Sequence, residues 1–262
     1  MDKKIIFFDI DGTLLDEKTL KVPESTVQAI KLARENGHIC IVNTGRPSCT
    51  IDPVIKEVGF DGYIYGCGTQ IVYHNQEITH NQLNQAIRKH VIELSFECKV
   101  YSVLEGKYSM YFPNTLRNDF VKEFKHRYVQ LGFPINDYCK DDIVEFDKLT
   151  VWYDDESDID RFRKGLENDF DIIQRDIDFV EIVPKCYSKA GGIQKLIDYL
   201  GMSIDQTISI GDSTNDLTML TYTKESVAMG NSNPILFDKV TYCTTDISHD
   251  GIYNALKHFK II

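Results

Sequence analysis

Three short polar loops, each placed directly after an expected core strand, constrain this chain more than any other feature. Ile5–Phe8 runs into Asp9-Ile10-Asp11-Gly12-Thr13, Ile39–Val42 into Asn43-Thr44-Gly45-Arg46, and Thr207–Ile210 into Gly211-Asp212-Ser213-Thr214-Asn215-Asp216. Ile5–Phe8 is a continuous apolar, partly β-branched run and reads as a strand buried on both faces, the habit of a central parallel sheet, with Ile39–Val42 and Thr207–Ile210 as further strands. In an open parallel sheet, ligands bind beyond the carboxyl ends of the strands. If the sheet forms, the three loops converge on one rim.

The segments between the strands support that sheet. Thr26, Ala29, Ile30 and Ala33 recur at helical spacing, with Pro23 ahead of them and Gly37 behind, the usual order of start and stop. A helix over Cys49–Val58 and a strand at Tyr63–Tyr65 are expected next. The C-terminal part repeats the rhythm. It predicts a helix at Gly192–Leu200, the strand Thr207–Ile210, a helix at Asp216–Leu220 and strands at Val227–Met229 and Val240–Cys243. A closing helix carries Ile252, Ala255, Leu256 and Phe259 on one face. Alternating strands and helices imply right-handed crossovers and a parallel sheet.

The middle reads differently. Val100–Leu104 and Tyr108–Phe112 flank Glu105-Gly106-Lys107, a hairpin pattern, with further strands at Leu149–Tyr153 and Phe179–Val183. Helices are expected near residues 83–96, 115–131 and 158–168. The expected organisation is an α/β core domain from residues 1–81 and 185–262, interrupted by an α+β domain at 82–184. Hinges are expected near 79–84 and 185–191.

Charge and cysteine usage narrow the function classes. With 29 Lys plus Arg against 40 Asp plus Glu, the formal charge is −11, and no basic stripe is present, so nucleic acid is not an expected partner. The seven cysteines are scattered and never spaced C-x-x-C, which suits reduced thiols in a cytoplasmic protein. Asp9 cuts the first apolar run far short of the roughly 7–15 residues of a signal peptide. No stretch nears the roughly 18 apolar residues of a membrane span, so no membrane partner is expected. A monomer or weak homodimer is the expected assembly.

Chemistry follows from the loops. Asp9, Asp11, Asp212 and Asp216 would crowd one small site, and carboxylates that close cannot all stay ionised without a positive charge. A hard divalent cation with oxygen ligands supplies it, and Mg²⁺ with a substrate phosphate is the natural pairing. Lys189, in Ser188-Lys189-Ala190-Gly191-Gly192, can face such a phosphate from the other side, while Thr44 offers a hydroxyl and Gly45 an unobstructed N–H. Together these describe a phosphoryl-transfer site. Asp9, at the end of the first strand, is the candidate nucleophile; Asp11, two residues on, is the candidate acid and base; Gly12 permits the turn between them.

Each residue also has a plainer use. Asp212, Asp216, Asn215 and Thr44 could cap helices, and Lys189 could be a surface charge. Arg46 has two readings, a substrate contact or an ion pair with a surface carboxylate. Cys67 reads as a small buried hydrophobe.

The ordered set Asp9-Ile10-Asp11-Gly12-Thr13, Thr44, Lys189 and Gly211-Asp212-Ser213-Thr214-Asn215-Asp216 resembles the four motifs of the haloacid dehalogenase superfamily. The likeness is to its Cof-type phosphatase branch, spans essentially the whole chain, and implies a Rossmann-like parallel-sheet core with an inserted α+β cap between the second and third motifs. It further implies that the Asp9 side chain, the Asp11 backbone carbonyl and Asp212 hold Mg²⁺ with Asp216 in support. Thr44, Gly45, Lys189 and Asn215 would bind the phosphoryl group, with Arg46 as a further substrate-side candidate. One departure stands out: relatives usually carry Asn-Gly after the third strand, whereas this chain reads Gly66-Cys67-Gly68.

The function implied is a Mg²⁺-dependent phosphatase acting on a small phosphorylated metabolite, a sugar phosphate or phosphorylated cofactor, through an aspartyl-phosphate. The alternatives are a phosphomutase using the same phosphoenzyme, or a non-catalytic phosphate-ligand binding protein. A carbon–halogen hydrolase would need neither Asp11 nor a metal.

Overall fold

Ile5, Ile6, Phe7 and Phe8 are completely buried and form β1 (Ile5–Phe8), with Ile6 opposite Cys40 on one side and Ile208 on the other, both in parallel register. The computed structural model describes residues 2–262 and separates into two units. One unit comprises the chain through Arg46, Ile51–His80 and Ser188–Ile262; the other comprises Pro47–Thr50 and Asn81–Tyr187.

In the first unit, α1 (Glu24–Glu35) buries Thr26, Ala29, Ile30 and Ala33, the face its spacing predicts. Strand β2 (Ile39–Asn43) follows, buried throughout. The expected helix over Cys49–Val58 is broken: a single 3₁₀ turn spans Ser48–Thr50, which belongs to the other unit, and α2 (Pro53–Val58) starts only at the proline. The Pro53 ring disfavours a helical conformation at the residue before it, and Asp52 accordingly sits at φ −58°, ψ 141°. After β3 (Gly62–Tyr65), an unexpected hairpin of β4 (Gln70–Tyr73) and β5 (Gln76–His80) extends the sheet in antiparallel sense. No residue of β5 is buried, so that strand carries little apolar signal.

The second unit is built from α3 (Gln85–Glu97), β6 (Tyr101–Glu105), β7 (Met110–Pro113), α4 (Asp119–Gln130), β8 (Ile135–Tyr138), β9 (Lys148–Trp152), α5 (Ile159–Leu166), β10 (Phe170–Asp176) and β11 (Phe179–Pro184). Its sheet runs β10-β11-β9-β6-β7-β8. The pairs are antiparallel except β7 with β8. Successive side chains of a strand face opposite sides. Leu104, Leu149, Val151 and Ile182 therefore pack with Val91, Phe162 and Leu166 of α3 and α5. Val103, Phe112 and Trp152 pack with Val121 of α4. The strand expected at Tyr108–Phe112 begins at Met110, and β8 and β10 were not anticipated, because most of their residues are exposed or half-buried.

Returning to the first unit, α6 (Lys189–Leu200) begins three residues before the expected Gly192, its first turn capped by the Ser188 hydroxyl, which accepts from the Gly191 N–H at 3.0 Å. The chain continues through β12 (Thr207–Gly211), α7 (Leu217–Leu220), β13 (Glu225–Ala228), β14 (Tyr242–Cys243) and α8 (Gly251–His258). The sheet order is β14-β13-β12-β1-β2-β3-β4-β5, parallel from β14 to β3. Alternate residues of β1 feed the two apolar layers. Ile6 and Phe8 pack with α1 and α8, while Ile5 and Phe7 pack with Ile193, Leu196 and Ile197 of α6. Because β1, β2, β12 and β13 run the same way, the loops that follow them emerge on one rim. Among the described residues, no helix is long and apolar enough to cross a membrane.

Candidate active site

Asp9 continues β1 by one residue, its N–H donating to the Ile210 carbonyl at 3.0 Å, so the carboxylate is carried on a rigid strand end. It is only 3% exposed. Facing it, the first residue of α6, Lys189, is 1% exposed. The Lys189 ammonium donates to Asp9 Oδ1 at 2.5 Å and to Asp216 Oδ1 at 2.6 Å. Asn43 Nδ2 donates to the Lys189 carbonyl at 3.1 Å, fixing the helix start against β2.

Asp216 is completely buried, and its other oxygen accepts from the backbone N–H groups of Asp212 and Ser213, both at 3.1 Å. Those bonds shape the loop after β12 that carries Asp212. Thr13 donates its hydroxyl to Asp212 Oδ1 at 3.2 Å. Gly12 explains itself here twice over: its φ is +72°, and a β-carbon would lie 2.3 Å from Asp212 Oδ2. Carboxylate oxygens of Asp9, Asp212 and Asp216 lie within 4.8 Å of one another.

The electrostatics follow from burial. Burial and then the Asp216 charge hold the Asp9 carboxyl well above the ordinary aspartate range, against the pull of Lys189. Burial and Asp216 push Asp212 up to about 7. Burial alone would weaken the Lys189 charge, but Asp216 and Asp9 more than restore it and keep the ammonium protonated. One ammonium thus faces three gathered carboxylates, and the donor set is all oxygen. That is an excess of negative charge suited to a hard divalent cation.

The remaining candidates sit on the neighbouring loops. Thr44 is buried, its N–H donating to the Ile64 carbonyl at 2.9 Å and its hydroxyl accepting from the Arg46 N–H at 3.1 Å. Gly45 beside it is half-buried. Asn215 is also half-buried, with Oδ1 accepting from the Ser213 hydroxyl at 2.6 Å. Asp11 stands apart from the three gathered carboxylates: both its oxygens accept from Arg46, and the Arg46 Nη1 donates to Asp52 Oδ2 at 2.6 Å. Arg46 makes ion pairs on two sides, with Asp11 and Asp52.

Sequence reasoning passed over Asn231. Its Nδ2 donates to the Gly12 carbonyl at 2.8 Å and its Oδ1 accepts from the Ile247 N–H at 2.9 Å, which pins the turn between Asp9 and Thr13. The signal was available, since Gly230-Asn231-Ser232 follows the strand expected at Val227–Met229 just as the other loops follow theirs.

A family model of haloacid dehalogenase-like hydrolases matches residues 6–256. A relative from Bacillus subtilis (strain 168), Putative phosphatase YkrA, is 30% identical over 270 residues, spanning all of both chains. Another from the same organism, 5-amino-6-(5-phospho-D-ribitylamino)uracil phosphatase YcsE, is 24% identical over all of this chain and 97% of its own length. Among solved structures, the HAD subclass IIB sugar phosphatase BT4131 superposes with a TM-score of 0.84 at 27% identity, covering 99% of this chain and 100% of its own.

Proposed function

This chain belongs to the haloacid dehalogenase-like hydrolases and is a phosphatase, and on that premise we propose that it is Mg²⁺-dependent and cleaves a small phosphorylated metabolite through an aspartyl-phosphate. The observation that carries the proposal is the gathering of Asp9, Asp212 and Asp216, from the loops after β1 and β12, around the buried Lys189 at the start of α6. Substrates of sugar-phosphate or phosphorylated-cofactor size are the expected class. The neighbours support it: BT4131 is named a sugar phosphatase, and YcsE is named for a phosphoribityl substrate.

The Asp9 side chain, the Asp11 backbone carbonyl and Asp212 would hold the cation, with Asp216 in support. Bound there, Mg²⁺ would offset the carboxylate charge and stabilise charge on the phosphoryl oxygens. Asp9 attacks phosphorus as the bond to the ester oxygen breaks, and Asp11 gives its proton to that leaving oxygen. Asp11, now a base, takes a proton from the water that splits the aspartyl-phosphate. Lys189 orients Asp9 and neutralises phosphoryl charge, with Thr44, Gly45 and Asn215 donating to the same group. The inserted region at 82–184 is assigned the choice of leaving group and the exclusion of water.

The test is a panel of phosphorylated metabolites assayed with Mg²⁺, with EDTA, and with Asp9→Asn. Phosphate release that needs the metal and vanishes in Asp9→Asn is the expected result. A folded protein inert across the panel would point to a phosphate-ligand binding protein. Transfer to a sugar without phosphate release would mean a mutase.

A further inference from the structure

Asp52 stands at the N-terminal boundary of α2, yet its side chain makes no capping hydrogen bond. The Ile55 and Lys56 N–H groups reach only its backbone carbonyl, at 3.1 and 3.3 Å. An aspartate in that position ordinarily turns its carboxylate back onto the first-turn N–H groups. Here Oδ2 turns away and accepts from Arg46 Nη1 at 2.6 Å. The other edge of the same guanidinium meets Asp11: Nε donates to Oδ2 at 2.9 Å, and Nη2 donates to Oδ1.

We propose that Asp52 is a positioning residue for the reaction: it anchors the Arg46 guanidinium, and that fork sets the direction of the Asp11 carboxylate. The inference rests on the reading that gives Asp11 the proton transfers, and concerns its ionised form, the one that takes the proton from water. A guanidinium is planar with donors in a fixed fork, so one anchor at Nη1 and two bonds along the opposite edge define its plane. The Asp11 side chain is 39% exposed, so little else packs it in place. The Arg46 and Asp52 side chains are half-buried, at 20% and 18%, which shields their pair from water. Without Asp52, Arg46 loses the anchor that resists its swing, and Asp11 loses a fixed heading. A displacement of about 1 Å at a reacting group can cost on the order of a hundredfold in rate.

The experiment compares wild type with Asp11→Asn, Asp52→Ser, Asp52→Asn, Arg46→Lys and the Arg46→Lys/Asp52→Ser double variant, with Mg²⁺ and the best substrate of the panel. Serine restores a capping side chain to α2 while removing the carboxylate, so a folding defect is not built into the variant. Asp52→Ser is expected to lower kcat by about tenfold or more with KM within about twofold. Asp52→Asn, which keeps an oxygen for Nη1, should recover most of the loss. In the Arg46→Lys background, Asp52→Ser should cost nothing further.

An unchanged kcat in Asp52→Ser overturns the inference. So does a rise in KM at constant kcat, which would make Arg46 a substrate contact, or a loss that simply adds in the double variant. If wild type is inert or Asp11→Asn turns over normally, the proposed function itself fails. If Asp11→Asn is slow and Asp52→Ser is fast, only the positioning role falls.

Discussion

Lys189 Nζ lies 2.5 Å from Asp9 Oδ1, with both side chains almost wholly out of water. The ammonium also holds Asp216 at 2.6 Å, so one cation from α6 is the internal counter-charge for the loops after β1 and β12. Removing one partner of a buried pair leaves the others uncompensated and typically costs about 3–5 kcal/mol. Lys189→Met should therefore lower unfolding free energy by about that amount in metal-free buffer, as read by urea denaturation. Added MgCl₂ should restore part of the loss while phosphatase activity stays absent. A variant as stable as wild type without metal would show that the carboxylates are not charged as described.

The pH dependence of cation binding follows from Asp212. Burial and Asp216 raise its folded-state value to about 7, above the ordinary 3.8 of an unfolded aspartate. Between those values the folded chain holds a proton that the unfolded chain has released, so metal-free stability falls as pH rises through the window. A divalent cation needs the carboxylate ionised, so its affinity climbs over the same interval. The increase in Tm produced by a fixed concentration of Mg²⁺ should be small at pH 5 and large at pH 8. Saturation to about a hundred times Kd corresponds to about 2.7 kcal/mol. Asp212→Asn should flatten the profile. A Tm increment independent of pH would remove Asp212 from the cation site.

Much of the placement of these residues is legible in the sequence, and the reason is local. Asp9, Thr44 and Asp212 each follow a strand that is buried throughout, so their placement needs only strand direction. Arg46 shows where that stops. Its position after Thr44 and Gly45 is local, but its partners Asp11 and Asp52 are set by how the loops pack. The α2 boundary is legible in Pro53, whose ring disfavours helix at the residue before it. Strands β5, β8 and β10 carried no comparable mark, since sheet edges bury few side chains and leave no alternation to read. The ion network of the second unit was invisible for another reason: Glu105, Lys148 and Glu181 lie on three different strands and meet only through register.

That network carries its own prediction. Lys148 Nζ lies 2.9 Å from Glu105 Oε2 and 3.0 Å from Glu181 Oε1, and Arg175 adds a second cation to Glu181, with Nε at 3.0 Å. Burial raises Glu105, which shares Lys148. Burial would raise Glu181 too, but Lys148 and Arg175 together pull it down to about 2 from the ordinary 4.5. A depressed carboxylate stabilises above its unfolded value, and that contribution is lost as pH falls towards the folded one. Acid unfolding followed by tryptophan fluorescence should therefore steepen between about pH 4.5 and 2. The reporter is Trp152, on the same strand as Lys148. Glu181→Gln should remove that steepening. Lys148→Met should destabilise by about 3–5 kcal/mol at pH 7, and a smaller effect would mean the pair is reached by water.

Cys67 offers the last test, because its backbone and side chain disagree. Gly66, Cys67 and Gly68 turn through φ of +54°, +56° and +90° in succession, a left-handed run that costs an L residue about 1–2 kcal/mol and that asparagine tolerates better. The Cys67 N–H donates to the Thr44 carbonyl at 3.0 Å, so the turn is held by the loop after β2 and cannot relax alone. Cys67→Asn and Cys67→Gly should each raise stability by about 0.5–1 kcal/mol, seen as a Tm increase of about 1–4 °C. Gly68→Ala should do the reverse. Its β-carbon would lie 2.6 Å from the Ser188 carbonyl and 3.1 Å from the Gly192 N, pressing on the turn of α6 that carries Lys189. Gly68→Ala should thus lose phosphatase activity along with stability, whereas the Cys67 variants gain stability and keep activity. If Cys67→Asn lowers Tm instead, packing of the buried thiol outweighs the backbone strain at this turn.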